Sequence, residues 1–125
     1  MGDERVFRLT GAVPNGMYSL YKLMYWRDTQ PEVYARVRHI HLVGDYLGWM
    51  LSGQAKIDRS LAARTGALDV KNMVFSPEMT ACAGLTPDMF PEVVTAGTVL
   101  GKVKPALARE LGLTPDCLVV AGSHD

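Results

Sequence analysis

The last eight residues of the chain read LVVAGSHD, and this stretch constrains the fold more than any other. Its apolar run holds two β-branched valines and is broken by Gly122, a pattern that predicts a short interior strand. In open α/β sheets, ligands bind in the crevice beyond the carboxyl ends of the strands. Asp125 is therefore a candidate for chemistry, and the plainer alternative is an aspartate that only caps a turn.

Serine, proline and glycine divide the rest of the chain into short helices. Leu20, Leu23 and Met24 recur at a helical spacing and predict one buried stripe in a first helix. Start and stop residues predict the others: a helix from Pro31, one capped by Asp45 and ended by Gly53, one from Ser76-Pro77 to Gly84, a short turn at Thr86-Pro87-Asp88, and one from Pro105 to Gly112.

Strands are fewer in this interpretation. The run HIHLV, residues 39–43, alternates as a short strand does, and residues 54–69 suggest an irregular or hairpin-like stretch. With the terminal strand this makes only two convincing strands, whereas sheets usually hold about five or six. The prediction is an α/β fold that is incomplete as given, with exposed sheet edges that favour association.

The composition excludes several classes of partner. The 125 residues carry 13 basic and 13 acidic side chains, so no net charge attracts nucleic acid or an acidic membrane surface. No apolar run approaches the roughly 20 residues of a membrane span. We expect a cytoplasmic protein in which Cys82 and Cys117 are reduced thiols, with a disulfide as the less favoured alternative.

Common self-sufficient catalytic motifs are missing from the sequence. Neither a Walker-type phosphate loop, nor G-x-G-x-x-G, nor G-x-S-x-G occurs. His39, His41 and Asp45 lie within seven positions, which makes a zinc site one alternative; surface and capping roles are favoured because the chain has few histidines and no cysteine pair lies nearby. No metal ligand or cofactor-binding residue is assigned in this chain.

Four stretches taken together resemble the FGGY family of carbohydrate kinases, in the later part of its first domain. They are YKLMYW, DYLGWMLSGQAKIDRSLAARTGALD, FPEVVTAGTVLGKV and LVVAGSHD, and their order and spacing cover residues from about 11 to 125. The second stretch is similar to the family's Asp-x-Ser-x-Ala and Thr-x-x-x-Asp pattern. Phe75 and Phe90 stand where other members usually have tryptophan and leucine, and both look like exchanges of core residues.

The resemblance implies a fold and an activity. The fold is part of a ribonuclease-H-like (actin-like ATPase) domain, with residues 1–125 as the C-terminal portion of the N-terminal domain and with the opening strands and the second domain absent. The activity is transfer of the terminal phosphoryl group of ATP, with Mg²⁺, to a sugar or polyol hydroxyl. The family's catalytic base falls on Asp125. The fragment by itself is expected to be inactive.

The same resemblance implies substrate contacts. In glycerol-phosphorylating members an aromatic residue just before the lysine-containing helix contacts the substrate. Counting back from the lysine of the first stretch puts that position at Met17, with Tyr18 beside it. A methionine in place of the aromatic residue argues mildly against glycerol. Tyr18 lies where a Gly/Pro loop meets a helix, and two roles are open to it: packing in the core, which is favoured, and stacking on a sugar. His124 is similar to the His-Asp form of rhamnulose-type kinases. Asp45, Asp58 and Asp69 are assigned to caps and turns.

Two functions of different classes are compatible with the sequence. The first is the carbohydrate kinase, whose partners are a small sugar or polyol and ATP, without nucleic acid or membrane, and with a homodimer left open. The alternative is a non-enzymatic actin-like or small binding domain that keeps the scaffold without phosphoryl transfer. The choice of sugar is not decided by these residues.

Overall fold

The computed structural model describes residues 2–124, which form a mixed α/β chain of short elements. This confirms the predicted α/β class. The described helices are α1 Asp3–Thr10, α2 Ser19–Thr29, α3 Pro31–Tyr34, α4 Val43–Ser52, α5 Arg59–Ala63, α6 Pro77–Cys82 and α7 Pro105–Glu110, with a 3₁₀ turn at Pro87–Met89. The strands are β1 Lys56–Asp58, β2 Leu68–Asp69, β3 Val74–Phe75, β4 Glu92–Val94, β5 Val99–Lys102 and β6 Leu118–Val120.

The described residues divide into two compact units. The first unit comprises residues 2–40 and 62–90, and it holds the antiparallel pair β2–β3, in which Leu68 pairs with Phe75. Its core includes Leu20, which is fully buried, and the stacked rings of Phe75 and Phe90, whose centroids are 4.4 Å apart. Both phenylalanines therefore lie in the core, as the sequence indicated.

The second unit comprises residues 41–61 and 91–124. Strand β1 pairs in parallel with β4, and β5 pairs with β6 in antiparallel register through a bulge between Val99 and Gly101. A cluster of small and branched apolar side chains forms the core of this unit, with members from α7 and from β5, β6 and the residues directly after these strands: Leu100, Val103, Ala108, Val119 and Ala121. The terminal strand is thus present, paired and anchored by Val119.

Helix boundaries follow the predicted start and stop residues closely. Ser76 is the N-cap of α6, since its hydroxyl accepts the Met79 N–H, and Gly84 follows the helix with a φ of +71°. Gly53 ends α4 in the left-handed conformation, and Gly112 follows α7 with a φ of +67°. Glycine suits these positions because a Cβ atom is strained at positive φ.

The predicted strand at residues 39–43 is wrong. Residues 39–42 are irregular, and Val43 already begins α4. Asp45 is the third residue of that helix instead of its N-cap, and its carboxylate accepts the Leu42 N–H at 2.8 Å. This bond satisfies an N–H that the helix leaves unpaired, so it favours a helix start over an extended segment.

The count of two strands was also wrong, because six short strands occur among residues 2–124. They form three sheets of two strands each, so every strand has a free edge within the described chain. Helix α1 was not predicted either. Leu23 and Met24 are only half-buried, so the predicted stripe of α2 is fully covered at Leu20 alone. No helix among the described residues is long and apolar enough to cross a membrane.

Candidate active site

The segment that follows β6 is the centre of the candidate site. Strand β6 ends at Val120, and Ala121 continues the pairing because its N–H donates to Thr98 O at 2.8 Å. Ser123 and His124 beyond it are exposed. The predicted base, Asp125, lies outside the described residues, so the site is described up to His124.

A buried carboxylate and a serine hold this segment. Asp58, the last residue of β1, is only 5% exposed, and its Oδ1 accepts the Ser60 hydroxyl at 2.5 Å and the Ser60 N–H at 2.9 Å. The Ser60 Oγ in turn accepts the His124 N–H at 2.7 Å and lies 3.3 Å from Ser123 Oγ. A chain of hydrogen bonds therefore runs from the end of β1 to the last described peptide group.

A cavity of about 260 Å³ lies beside this chain of bonds, within the second unit. It is lined by residues 120–124 together with Lys56, Asp58 and two glycines of α4, Gly44 and Gly48. The Lys56 ammonium lies 3.5 Å from the Glu92 carboxylate, so this cation is already paired. The cavity is concave, mixed in polarity and large enough for a few ligand groups, as small-molecule sites are.

Asp45 contributes a second buried carboxylate to the same wall. Its Oδ2 lies 2.5 Å from His41 Nδ1, and its side chain is almost wholly buried. Burial raises the pKa of Asp45, although the hydrogen bond from His41 acts in the opposite direction. Asp45 therefore ties the irregular segment to the start of α4, and it caps the helix from its third residue instead of from the predicted N-cap position.

The other aspartates also match their predicted roles as caps and turns. Asp58 accepts the N–H groups of Ser60 and Leu61 at the start of α5. Asp69 accepts the N–H groups of Lys71 and Asn72 in the turn that joins β2 to β3, and these bonds lower the pKa of its carboxyl group. Among residues 2–124 no three His, Cys, Asp or Glu side chains are grouped as a metal site.

Met17 and Tyr18 lie in the first unit, in the loop before α2. Met17 is exposed, and Tyr18 is half-buried with the Arg64 guanidinium 5.4 Å from its ring centroid. Arg64 also places Nη2 3.8 Å from Met17 Sδ. A Cβ atom added to Gly66 would lie 2.9 Å from Tyr18 Cβ, so the glycine permits this close packing.

The three predicted substrate residues are divided between the two units. Met17 and Tyr18 are adjacent and share Arg64, whereas His124 lies in the other unit, next to Ser123 and bonded through its N–H to Ser60. Arg64 and Ser60 were missed as partners of the site. The Asp-x-Ser stretch that contains Ser60 was the available signal, because it lies between a strand and a helix.

The sequence profile of the FGGY family of carbohydrate kinases, N-terminal domain, matches residues 1–125. The chain belongs to this family. Its structural neighbours share the family's ribonuclease-H-like, actin-like fold class, which confirms the fold implied by the resemblance.

Individual relatives agree with this assignment. The chain is 31% identical over 123 residues to the autoinducer-2 kinase of Klebsiella pneumoniae, an alignment that covers 98% of this chain and 23% of the relative. Its sequence is 29% identical to that of a xyloylose kinase from Brucella ovis, and its structure superposes on the crystal structure of that protein with a TM-score of 0.92. The match covers 98% of this chain and 25% of that one.

A third relative is a carbohydrate kinase from Novosphingobium aromaticivorans, whose sequence is 33% identical to this chain. Its crystal structure and this chain superpose with a TM-score of 0.74. That match covers 95% of this chain and 26% of the other. The chain therefore spans about a quarter of the length of the relatives that it matches.

Proposed function

We propose that the protein containing this chain transfers a phosphoryl group from ATP to a hydroxyl of a sugar or polyol. In this proposal the chain is the later part of the first domain and supplies substrate-side structure together with the general base, Asp125. The observation that carries the proposal is the match of the whole chain to the FGGY kinase N-terminal domain, supported by strand β6 and by the cavity that the residues after it line, up to His124.

The chemistry explains why a carboxylate suits this position. A sugar hydroxyl is a weak nucleophile at neutral pH, so a carboxylate within hydrogen-bond reach orients it and accepts its proton as the new phosphorus–oxygen bond forms. The leaving group is ADP, and the remaining demands of the reaction are positioning and neutralisation of phosphate charge. Asp125 meets the first demand in this proposal.

The substrate side is assigned to three residues. Met17 and Tyr18 offer a thioether and an aromatic face to the carbon skeleton of the sugar, supported by the contacts of both side chains with Arg64. His124 precedes the base and is proposed to contribute to the choice of sugar. The relatives include kinases of autoinducer-2 and of xyloylose, so keto sugars belong in any substrate panel.

The cofactors are ATP and magnesium, and most of their binding groups are proposed to lie outside this chain. Mg²⁺ would neutralise phosphate charge when bound with ATP. Among residues 2–124 no three His, Cys, Asp or Glu side chains are grouped to hold a metal ion, so no magnesium ligand is assigned among them. The proposed location is the cytoplasm, where ATP is supplied. Each described strand has a free edge that could pair with a second copy, so a homodimer is the proposed assembly.

The decisive test is Asp125→Asn in the full-length protein. ADP release should be assayed with pentuloses, hexuloses, aldonates and polyols, and the best acceptor should then be used to compare variants. We expect the substitution to lower turnover by at least ~100-fold, the usual range for loss of a positioned base, with ATP binding nearly unchanged. Asp116→Asn, an exposed aspartate paired with Lys102, is the matched control.

Two outcomes would contradict the proposal. Turnover of Asp125→Asn within twofold of the wild type would remove Asp125 from the role of base. No sugar-dependent ADP release with any acceptor, in a protein that still binds ATP, would favour the non-enzymatic actin-like or binding domain.

A further inference from the structure

The peptide groups beyond Ala121 leave the β5–β6 ladder, and one bond in particular holds them. The Ala121 N–H still donates to Thr98 O, but the His124 N–H donates to a side chain, the Ser60 hydroxyl, at 2.7 Å. The two residues are 64 positions apart in the chain. The backbone that leads into residue 125 is therefore fixed by a contact from another part of the second unit.

The direction of the Ser60 hydroxyl is set by Asp58. Asp58 Oδ1 accepts the N–H groups of Ser60 and Leu61, at 2.9 and 3.3 Å, so this oxygen acts as an acceptor, and the Ser60 O–H donates to it at 2.5 Å. A hydroxyl has one proton and two lone pairs. Because its proton points at Asp58, the Ser60 Oγ offers its lone pairs to the His124 N–H.

Asp58 is itself held firmly. It is the last residue of β1, it pairs in register with Val94 of β4, and it is 5% exposed. A short hydrogen bond to a carboxylate is stronger than one between neutral groups, and burial strengthens it further. Asp58 and Ser60 together therefore form a rigid support for the exposed segment of Gly122, Ser123 and His124.

We propose that Ser60, oriented by Asp58, is a positioning residue that fixes the backbone of His124 and so sets where the carboxylate of residue 125 is presented. The part of this inference that concerns catalysis rests on the proposed function. The part that concerns the backbone does not, because it follows from the hydrogen bonds alone.

The first experiment measures the backbone directly. Hydrogen–deuterium exchange in the full-length protein, read by mass spectrometry on peptides covering residues 121–124, should be about tenfold faster in Ser60→Ala than in the wild type, because the protecting acceptor is lost. Ser60→Thr keeps the hydroxyl and should restore slow exchange. If Ser60→Ala does not fold, Asp58→Asn, which removes the orienting carboxylate, should raise exchange in the same peptides.

Ser52→Ala is the matched control. Ser52 is a half-buried serine of the same unit whose Oγ also donates to one oxygen, Gly48 O, and accepts one N–H, from Gln54. Both of these partners lie outside residues 121–124, so the substitution should leave the exchange of that segment unchanged. Equal exchange in Ser60→Ala and the wild type, or equal acceleration by Ser52→Ala, would overturn the inference.

The second experiment measures kcat and the KM for ATP in the same variants. Ser60→Ala should lower kcat by about 10- to 100-fold with KM for ATP unchanged, since a displacement of a reacting group by about 1 Å costs up to that much. Ser60→Thr should recover most of kcat. Faster exchange with an unchanged kcat would overturn the positioning role. If Asp125→Asn keeps full turnover, the proposed role of Asp125 as base fails, and the exchange result still decides whether Ser60 fixes the backbone.

Discussion

The two units each hold one predicted substrate segment, but they do so by different physical means. In the first unit, the loop of Met17 and Tyr18 is held by an Arg64 guanidinium above the Tyr18 ring and by the close packing of Gly66. In the second unit, the segment that ends at His124 is held by a serine and a buried aspartate.

The difference has an energetic consequence. A cation over a ring at a partly exposed site contributes about 0.5–1 kcal/mol, and solvent screens it. A buried carboxylate with three hydrogen bonds cannot be removed without leaving donors unsatisfied, which costs about 1–3 kcal/mol for each buried group. We therefore expect the first segment to be the adaptable one and the second to be the fixed one.

The chain offers a separate reporter for each unit. It contains two tryptophans, and Trp26 lies in the first unit while Trp49 lies in the second. Trp49 packs against the rings of His41 and Tyr46, and Trp26 is on the surface of α2. In the 125-residue chain, fluorescence in Trp26→Phe and Trp49→Phe backgrounds therefore follows one unit at a time during denaturation by urea.

The largest effect is expected for Asp58→Ala. This change removes the acceptor of the Ser60 and Leu61 N–H groups and of the Ser60 hydroxyl, so we expect the free energy of unfolding of the second unit to fall by about 3 kcal/mol. The measurement is urea denaturation followed by Trp49 fluorescence in the Trp26→Phe background.

Asp116→Ala is the control for this prediction. Asp116 is an exposed aspartate of the same unit that pairs with Lys102 at the surface, so its removal should cost less than about 1 kcal/mol. Equal losses for the two variants would show that the buried carboxylate does not support the second unit.

A smaller effect is expected for Gly66→Ala. Gly66 has a φ of +72°, and an added Cβ atom would lie 2.9 Å from Tyr18 Cβ, closer than such atoms approach. The left-handed backbone alone costs about 1–2 kcal/mol for an ordinary residue, and displacement of Tyr18 adds to that. We expect a loss of about 2–3 kcal/mol in the first unit, measured by Trp26 fluorescence in the Trp49→Phe background.

Gly11→Ala separates the two causes. Gly11 has a similar φ of +66°, but its added Cβ would meet only Val70 side-chain atoms at 3.7 Å, which is ordinary contact. It should show the backbone cost without the contact with Tyr18. If Gly11→Ala costs as much as Gly66→Ala, the packing of Gly66 against Tyr18 contributes nothing to holding the loop.

Local structure, and helix boundaries above all, could be predicted from the sequence. Helix boundaries were predictable because each depends on residues next to it, as with the Ser76 cap and the left-handed Gly53. The strand predicted at residues 39–43 is wrong because alternation of apolar residues over so few positions does not require extended backbone. The bond from Asp45 back to Leu42 was not visible as a competing helix start.

Long-range partners could not be predicted in the same way. Strand β1 has three residues, and its neighbour β4 begins 36 positions after it starts, so neither shows a long periodic pattern. The bond between Ser60 and His124 joins residues 64 positions apart, and the contact between Arg64 and Met17 joins residues 47 apart. The sequence placed Met17, Tyr18 and His124 on loops at element ends, but the side chains that hold these loops follow from the tertiary fold.

The smallest effect is expected for Arg64→Ala, which tests the weaker side of the comparison. The substitution removes the cation over the Tyr18 ring and the contact with Met17 Sδ, and we expect a loss of about 0.5–1 kcal/mol in the first unit. Arg64→Lys keeps the charge without the planar guanidinium and should lose less. A loss above ~2 kcal/mol for Arg64→Ala, in the same Trp26 assay, would mean that the first segment is held as firmly as the second. The contrast between an adaptable and a fixed segment would then be wrong.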